Sequence, residues 1–354
     1  MIGQGAFSCV FRPAVSCDNK LTNNKYFISK ITEDDKYIKN EMEIAQILKT
    51  IPRFYNNFAP IEENCGANIN RFLENPETNA QECDLFKQDS HTAASASASA
   101  ANERKFVYNK IRYIGEDDLY DYLNDNKSFL LETYDYLKYS IGLLQGAGII
   151  HYDFKGNNVM IHDRHHTPII IDFGLSINVN KMISAAAAAA QPPSPPIDEV
   201  KRAFYVYSPT YEVWCFEIHF ICYLICARGK IENDVFVNTS YDEPVSKEDL
   251  ETVRADFQKS SLFKYLDLDK YIAELSYFDK YVGRPAKDVV IDIVRDYWKT
   301  WDYYSLAMCY LNAGGAGGGE TIRGELLKFC SANPELRAAA AAAAPAEAPA
   351  AHVE

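Results

Sequence analysis

Two short stretches decide how this chain is interpreted: IIHYDFKGNN, residues 149–158, and IIDFG, residues 170–174. After their apolar runs they place four polar side chains at fixed offsets: Asp153, Lys155, Asn158 and Asp172. Carboxylate and amide oxygens are hard ligands that suit Mg²⁺, and a lysine can place positive charge beside a moving phosphoryl group. The spacing therefore indicates phosphoryl-transfer chemistry, with a carboxylate positioned for the hydroxyl that accepts the group.

These stretches resemble the motifs H-R-D-L-K-x-x-N and D-F-G of eukaryotic-type protein kinases. The resemblance implies that Asp153 orients the substrate hydroxyl and that Lys155 steadies the γ-phosphoryl group of ATP. It also implies that Asn158 and Asp172 bind Mg²⁺. A lysine two positions after the catalytic Asp is typical of serine/threonine kinases.

One position departs from the family pattern, because Tyr152 stands where protein kinases usually carry an arginine. That arginine commonly pairs with a phosphate on the activation loop, which is a strong charge-assisted contact. The substitution predicts activity that does not depend on activation-loop phosphorylation. Loss of activity on phosphatase treatment would contradict this prediction.

The start of the chain, IGQGAFSCV at residues 2–10, resembles the kinase glycine-rich loop G-x-G-x-x-G-x-V, with Ser8 replacing the third glycine. Glycine lets the backbone approach phosphate oxygens because no Cβ intervenes, and successive N–H groups can bind the anion. The resemblance assigns nucleotide contacts to Ile2, Gly3, Gly5 and Val10. Taken alone, the motif is equally compatible with a plain β-turn.

YFISK, residues 26–30, resembles the V-A-I-K strand of the family and would place Lys30 near the α- and β-phosphates. Apolar residues near helical spacing predict a helix from Tyr37 to Leu48. Within it, Glu41 fits the family register for the partner of the lysine, whereas Glu43 projects to another face. The separation of Lys30 and Glu41 is shorter than is usual in the family.

A further strand is predicted over Phe106–Ile114, where polar and apolar residues alternate. By similarity Ile111 is the gatekeeper, and the three residues after it form the hinge whose backbone groups meet adenine. The resemblance assigns nucleotide contacts to Arg112 and Ile114.

Two later segments also resemble kinase motifs. VWCFE, residues 213–217, looks like a degraded A-P-E segment, and NPELR, residues 333–337, looks like the late arginine motif. In the family these motifs contribute the two members of a buried ion pair. The resemblance therefore pairs Glu217 with Arg337.

DYYSLA, residues 302–307, resembles D-x-Y-S-L-G, the start of a helix that braces the catalytic loop. A rival is EVWC, residues 212–215, which resembles D-V-W-S at the usual distance. Asp302 is preferred because Ser305 and Leu306 also match the motif.

A β-rich part followed by a helical part predicts an α+β fold, with the small N-lobe and larger C-lobe of a bilobal protein kinase. The N-lobe is predicted over residues 1–114, with a surface insertion at about 64–104. The C-lobe is predicted over 115–337, with a long insertion at about 218–300. The Ala/Pro-rich residues 338–354 are expected to form a disordered tail.

The pattern of apolar residues predicts the individual elements. Strands are predicted at Gly3–Arg12 as a strand–turn–strand, Lys25–Ile31, Phe54–Glu62 and Phe106–Ile114. In the C-lobe, helices are predicted at Leu119–Leu123, Phe129–Gly148, Tyr211–Ala227, Tyr265–Phe278, Val289–Leu311 and Ile322–Cys330.

The 354 residues carry a formal net charge of −13, which argues against a general nucleic-acid binder because such proteins present a basic face. Nine cysteines without a C-x-x-C pair predict free thiols in a reducing compartment. No signal peptide is recognisable, and the longest apolar run, Trp214–Ala227, is too short to span a bilayer. We expect a cytoplasmic protein, taken as a monomer, without membrane or direct nucleic-acid partners.

Together the motifs predict an ATP-dependent serine/threonine protein kinase that uses Mg²⁺ and acts on protein substrates. A pseudokinase that binds ATP as a scaffold remains open, because the glycine-rich loop is irregular. A small-molecule kinase is a third candidate, although such enzymes usually lack Lys155 and the late Glu–Arg pair. VFRP at residues 10–13 and SKI at 29–31 further resemble serine/threonine kinases of large nucleocytoplasmic DNA viruses.

Overall fold

The structure, a computed structural model, describes residues 1–5, 8–17, 20, 22, 24–74, 80–87, 105–125, 130–182, 197–232, 235–238, 240–313 and 319–342. The chain forms two compact units. The first unit comprises Met1–Glu116 and Met160–Leu175, and the second comprises Asp117–Val159 and Ser176–Glu354. Residues 160–175, predicted as part of the C-lobe, therefore cluster with the first unit.

A five-stranded antiparallel sheet organises the first unit, with strand order β1-β2-β3-β5-β4. Its strands are β1 (Gly3–Gly5), β2 (Ser8–Phe11), β3 (Phe27–Glu33), β4 (Ile61–Ala67) and β5 (Phe106–Arg112). β5 pairs with a strand on each side, and most of its residues are buried. The register places Lys30 of β3 opposite Val10 of β2 and Asn109 of β5.

The helix predicted at Tyr37–Leu48 is confirmed and runs from Lys36 to Leu48. The Asp35 side chain caps it by accepting hydrogen bonds from the backbone N–H groups of Tyr37 and Ile38, at 2.8 and 3.0 Å. Its buried face carries Ile38, Glu41, Ile44, Ala45 and Leu48. The helix thus buries one carboxylate within an apolar stripe.

The strand predicted at Phe54–Glu62 is wrong over most of its length. A 3₁₀ turn occupies Phe54–Asn56, and Arg53 before it has a left-handed backbone with φ 56°. Phe58 makes an isolated bridge with Ile170, and a strand begins only at Ile61, after Pro60, which has no N–H to donate. The strand β4 then continues to Ala67, so the first residues of the predicted insertion belong to the sheet.

Two disulfides correct the expectation of free thiols. Cys9 pairs with Cys83, and Cys17 pairs with Cys65. The pairing joins cysteines far apart in sequence that the folding of the first unit brings together, so their spacing gave no indication of it. Five cysteines of the second unit are free: Cys215, Cys222, Cys226, Cys309 and Cys330.

Helices dominate the second unit. Its described α-helices are Leu119–Asp125, Leu130–Gly146, Ile197–Ala203, Phe216–Cys222, Lys247–Phe257, Leu268–Glu274, Ala286–Tyr297, Trp301–Asn312, Gly319–Phe329 and Pro334–Ala342. The first unit adds two short helices, Ile69–Leu73 and Asp84–Lys87. None of the helices described for this chain combines the length and the apolar character needed to cross a membrane.

Several predicted helices are interrupted or shortened. The helix predicted at Val289–Leu311 is split by a 3₁₀ turn at Trp298–Thr300. The one predicted at Tyr211–Ala227 begins at Phe216 and ends in a π-helical turn, Tyr223–Ala227. The spacing of apolar residues locates a helix, but it does not show at which turn the hydrogen-bond pattern changes.

Part of the predicted disordered tail is helical. The helix Pro334–Ala342 includes residues 338–342, because alanine has the highest intrinsic helix propensity and the buried Arg337 anchors this helix. Residues 343–354 lie outside the described residues, as do 75–79 and 88–104 of the predicted insertion. Small ladders complete the fold: Ile149–Ile150 with Ile177–Asn178, Val159–Ile161 with Pro168–Ile170, and Gly229–Glu232 with Val235–Asn238.

Candidate active site

The predicted glycine-rich segment forms the edge of the first unit's sheet. Gly3 lies opposite Val10 and Gly5 opposite Ser8, and the Ile2 N–H donates to the Val10 carbonyl at 2.9 Å. Gly5 is exposed, and the Ile2 side chain is 54% exposed. The strand pair brings Ile2, Gly3, Gly5 and Val10 together, with a glycine backbone that a ligand can approach closely.

Lys30 lies between two carboxylates. Its Nζ is 2.7 Å from Oδ1 of Asp172 and 3.3 Å from Oε2 of Glu41. Burial lowers the pKa of Lys30, but the two neighbouring negative charges outweigh it and hold that pKa above its ordinary value. The ammonium therefore stays charged at neutral pH.

Glu41 is the member of this cluster that the helix Lys36–Leu48 buries. Its burial raises the pKa of the carboxyl group, and the charge of Lys30 opposes the rise. Glu43, two residues further on, is exposed. The register predicted for the acidic partner of Lys30 is thus confirmed.

Asp172 follows the strand Pro168–Ile170 in a left-handed backbone conformation, with φ 61°. Phe173 is buried and meets Phe58 edge-on, with ring centroids 6.2 Å apart. The Asn40 side chain donates to the Gly174 carbonyl at 3.2 Å. These neighbours hold a backbone conformation that residues other than Gly, Asn and Asp rarely adopt, and they present the Asp172 carboxylate to Lys30.

The predicted hinge residues lie at the end of β5, of which Arg112 is the last residue. The Arg112 guanidinium donates hydrogen bonds to the carbonyls of Tyr55 and Phe58, so its side chain is already used in contacts within the first unit. The Tyr113 N–H donates to the Tyr26 carbonyl at 2.9 Å. Ile114 is buried, and no hydrogen bond among the described residues engages its backbone N–H. A nucleotide contact through the backbone of Arg112 or Ile114 stays a prediction.

In the second unit, the side chains of the predicted catalytic loop converge on Asp153. Lys155 Nζ lies 2.9 Å from Oδ2 of Asp153. The Asn158 Nδ2 donates to the same oxygen at 3.0 Å and to the Asp153 carbonyl at 2.8 Å. The loop thus holds one carboxylate oxygen of Asp153 by two donors.

Asp302 braces this loop, as its motif predicts. The buried Asp302 carboxylate accepts hydrogen bonds from the backbone N–H groups of His151 at 2.7 Å and Tyr152 at 3.1 Å. Burial raises the pKa of Asp302, and these N–H donors oppose the rise. Since Tyr152 has a left-handed φ of 70°, the two hydrogen bonds fix a strained turn immediately before Asp153.

Tyr152 replaces the family's arginine with a buried aromatic side chain. Its carbonyl accepts a hydrogen bond from the Trp214 Nε1–H at 2.8 Å, and the centroids of the two side-chain rings lie 4.7 Å apart. Its hydroxyl is 3.6 Å from the Cys222 sulfur. The phenol is therefore packed among neutral groups and offers no cation for a phosphate.

Tyr211 is a site residue that sequence reasoning missed. Its hydroxyl donates a hydrogen bond to Oδ1 of Asp153, the oxygen that Lys155 and Asn158 leave open. Burial first, and then the negative charge of Asp153, raise the pKa of Tyr211, so the hydroxyl stays protonated. With 24 tyrosines in the chain, nothing in its local sequence distinguished this one.

The Glu217–Arg337 ion pair predicted from the two later motifs is present. Both side chains are completely buried, and the Arg337 guanidinium contacts the Glu217 carboxylate directly. Thr300 Oγ1 accepts a further hydrogen bond from Arg337 at 3.4 Å. The pair connects the helix Phe216–Cys222 to the helix Pro334–Ala342.

Within the described residues, no three His, Cys, Asp or Glu side chains gather as a ready-made metal site. The oxygen donors implied for Mg²⁺ are Asp172, whose side chain is 44% exposed, and Asn158. Because the Asn158 Nδ2 is committed to Asp153, its Oδ1 is the amide atom left for a cation. Both residues fit the hard oxygen ligands that magnesium takes.

A cavity of about 340 Å³ lies elsewhere on the first unit. It is lined by the Cys17–Cys65 disulfide and by side chains that include Phe27, Tyr108 and Lys110. It contains none of the predicted site residues, so it does not form part of the candidate active site.

No protein-family model matches the chain, and no curated protein matches it. Among the solved structures that match is the crystal structure of a Stt7 homolog from Micromonas algae soaked with ATP. The match covers 100% of this chain and 92% of that chain, with 11% sequence identity and a TM-score of 0.46. These values do not establish a shared fold or function, and nothing in the comparisons supports the viral resemblance.

Proposed function

We propose that this protein is an ATP-dependent serine/threonine protein kinase. The observation that carries the proposal is the pairing of Lys30 with both Glu41 and Asp172. In protein kinases the strand lysine pairs with a helix glutamate, and the D-F-G aspartate must be in place for Mg²⁺. Three motifs that are separate in the sequence contribute to this one cluster, which argues against a chance match of any single motif.

Lys30 would bind the phosphates of ATP. A lysine ammonium has three donors, and two of them point to the carboxylates of Glu41 and Asp172. The third is used by no hydrogen bond among the described residues. A charged ammonium with one donor in reserve suits a group that must bind an incoming phosphate oxygen.

Asn158 and Asp172 would hold Mg²⁺, each through a side-chain oxygen. When bound, the metal neutralises charge that develops on the phosphoryl oxygens. The contribution of the chain is orientation, since the hydrogen bonds from Asn158 to Asp153 fix its amide. Likewise, the contact with Lys30 fixes the Asp172 carboxylate.

Asp153 would orient the acceptor hydroxyl and receive its proton. As the hydroxyl oxygen bonds to the γ-phosphorus, the bond to the β,γ-bridging oxygen breaks and ADP leaves. Lys155, 2.9 Å from Asp153, places a positive charge where negative charge develops. Catalysis of this kind consists mainly of positioning and electrostatic stabilisation.

The test is a [γ-³²P]ATP assay with Mg²⁺ that offers a generic basic protein and, separately, small-molecule acceptors. We expect label on serine or threonine of the protein and its loss in Asp153→Asn and Asp172→Ala. Asp163→Asn serves as the matched control, because Asp163 is an exposed carboxylate of the first unit. ATP binding without transfer by the unmutated protein would contradict the proposal, and label on small molecules alone would indicate a small-molecule kinase.

A pseudokinase is the second candidate, and the position of Tyr211 favours it. Its hydroxyl donates to the carboxylate that a substrate hydroxyl would need. A carboxylate oxygen can accept two hydrogen bonds, however, so Tyr211 does not by itself exclude an acceptor. The assay above separates the two candidates, because a scaffold would bind ATP and transfer nothing.

A further inference from the structure

Two interactions connect the glycine hairpin, β1 and β2, to the segment Ala80–Lys87. Gln4, between the two glycines of β1, donates from Nε2 to Oδ2 of Asp84 at 2.6 Å. The Asp84 backbone N–H donates back to Gln4 Oε1 at 2.9 Å. This reciprocal pair of hydrogen bonds holds both the side chain and the backbone of Asp84 against the edge strand.

The second interaction is a disulfide bond. Cys9 of β2 lies directly opposite Gln4 in the strand register and forms a disulfide with Cys83, the neighbour of Asp84. Both cysteines are fully buried, in a hydrophobic cluster that includes Phe11 and Phe72. The segment Ala80–Lys87 is thus connected to both strands of the glycine hairpin at one level of the sheet.

We infer that Asp84 and Cys83 are positioning residues for the glycine hairpin, β1 and β2, and that they set its affinity for a nucleotide. β1 has three residues and, among the strands that the structure describes, pairs only with β2. An edge strand this short is weakly held by its ladder alone. The hydrogen bonds and the disulfide supply the constraint that the ladder lacks. The effect on nucleotide affinity rests on the proposed function, whereas the effect on the hairpin does not.

The disulfide makes this constraint sensitive to a dithiol. Exchange with dithiothreitol converts the Cys9–Cys83 bond to two thiols, while the dithiol loses two electrons and two protons and closes to its own disulfide. Reduction therefore removes the covalent tie and leaves the Gln4–Asp84 hydrogen bonds. Asp84→Ala removes the hydrogen bond from Gln4 Nε2 to the Asp84 carboxylate and leaves the backbone hydrogen bond and the disulfide.

Hydrogen exchange of residues 2–10 in the full chain tests the positioning role without any nucleotide. We expect the amides of β1 and β2 to exchange at least about tenfold faster in Asp84→Ala and in Cys83→Ser. The Cys17→Ser/Cys65→Ser variant is the matched control, because it removes the other disulfide of the same unit and leaves Cys9–Cys83 intact. Unchanged exchange in both Asp84→Ala and Cys83→Ser would overturn the inference, and so would nine free thiols in the non-reduced protein.

ATP titration provides the second measurement. We expect Asp84→Ala and dithiol treatment to raise the Kd and the KM for ATP about tenfold while kcat changes little, since neither alters the residues around Asp153. A kcat effect with unchanged KM would contradict the assignment. If exchange changes as expected but the unmutated protein binds no ATP, the positioning role stands and the proposed function fails. If exchange is unchanged but the unmutated protein is an active kinase, the positioning role fails and the proposed function stands.

Discussion

The hydroxyl of Tyr211 donates a hydrogen bond to Oδ1 of Asp153, while Lys155 and Asn158 engage the other oxygen of that carboxylate. The carboxylate is therefore oriented both by groups of the loop that carries it and by a tyrosine more than fifty residues further along the chain. Its rotation is fixed before any acceptor arrives. This preorganisation is what a carboxylate needs to act on a hydroxyl group.

The phenylalanine variant Tyr211→Phe should therefore lower kcat. A hydrogen bond to a charged group contributes about 1.5–3 kcal/mol, which corresponds to a decrease of roughly tenfold or more. KM for ATP should change little, because the first unit supplies Lys30 and Asp172. Steady-state kinetics with protein acceptor and ATP varied separately measure both quantities.

Tyr207→Phe is the control for this variant, because the Tyr207 hydroxyl donates to Asp256 rather than to Asp153. Its kcat should match that of the unmutated protein. A rise in kcat for Tyr211→Phe would show instead that the phenol blocks the acceptor, and it would argue for the scaffold interpretation.

The variant Glu41→Gln should impair ATP use without unfolding the protein. It leaves Lys30 paired with Asp172 alone and removes a charge that fixes the ammonium. We expect kcat/KM for ATP to fall by about ten- to a hundredfold. Because burial already raises the pKa of Glu41, a neutral amide of the same size should change the melting temperature little.

Glu43→Gln is the matched control on the same helix, since Glu43 is exposed. Its kcat/KM should remain that of the unmutated protein. Equal losses in the two variants would mean that a general change in the helix, rather than the Lys30 contact, is responsible.

Removal of Arg337 should destabilise the second unit. Arg337→Ala leaves the buried Glu217 without its partner, and an uncompensated buried charge costs about 3–5 kcal/mol. Chemical denaturation measures this cost as a lower free energy of unfolding. The double variant with Glu217→Ala should lose less than the sum of the two single losses, because the unpaired charge is then absent.

The exposed pair Lys247–Glu251, 3.7 Å apart, provides the comparison. Lys247→Ala should lower the free energy of unfolding by no more than about 1 kcal/mol, since solvent screens such a pair. If Arg337→Ala cost no more than this, the buried ion pair would not be a structural determinant of the unit.

His219 should make stability depend on pH. It is completely buried, and burial lowers the pKa of its imidazole to about 3. In the unfolded chain a histidine titrates near pH 6.5, so between these values the unfolded state binds a proton that the folded state does not. Stability therefore falls as pH falls, by about 2 kcal/mol between pH 7 and pH 5.

Denaturation at both pH values measures this dependence. His219→Gln should lose about 2 kcal/mol less than the unmutated protein between pH 7 and pH 5, whereas His165→Gln, which alters an exposed histidine, should behave like the unmutated protein. An unchanged pH dependence in His219→Gln would show that folding does not lower the pKa of His219.

Sequence motifs predicted several contacts because they encode both the residue type and its local position. Lys30 with Glu41, Asp302 with the loop before Asp153, and Glu217 with Arg337 all pair as expected. The failures arose where the partner is set by three-dimensional packing. Neither the disulfide between Cys9 and Cys83 nor the Tyr211 hydrogen bond has a local signature.

The sequence by itself determined the α+β class and the side chains of the candidate site, because periodicity and short-range spacing fix the local backbone and the side chains it carries. Tertiary structure alone decided which distant groups constrain that chemistry. Tyr211 reaches Asp153, and Asp84 reaches Gln4, only after folding has brought the separate segments together. Contacts of this kind depend on packing energies summed over the whole unit, which no single stretch of sequence contains.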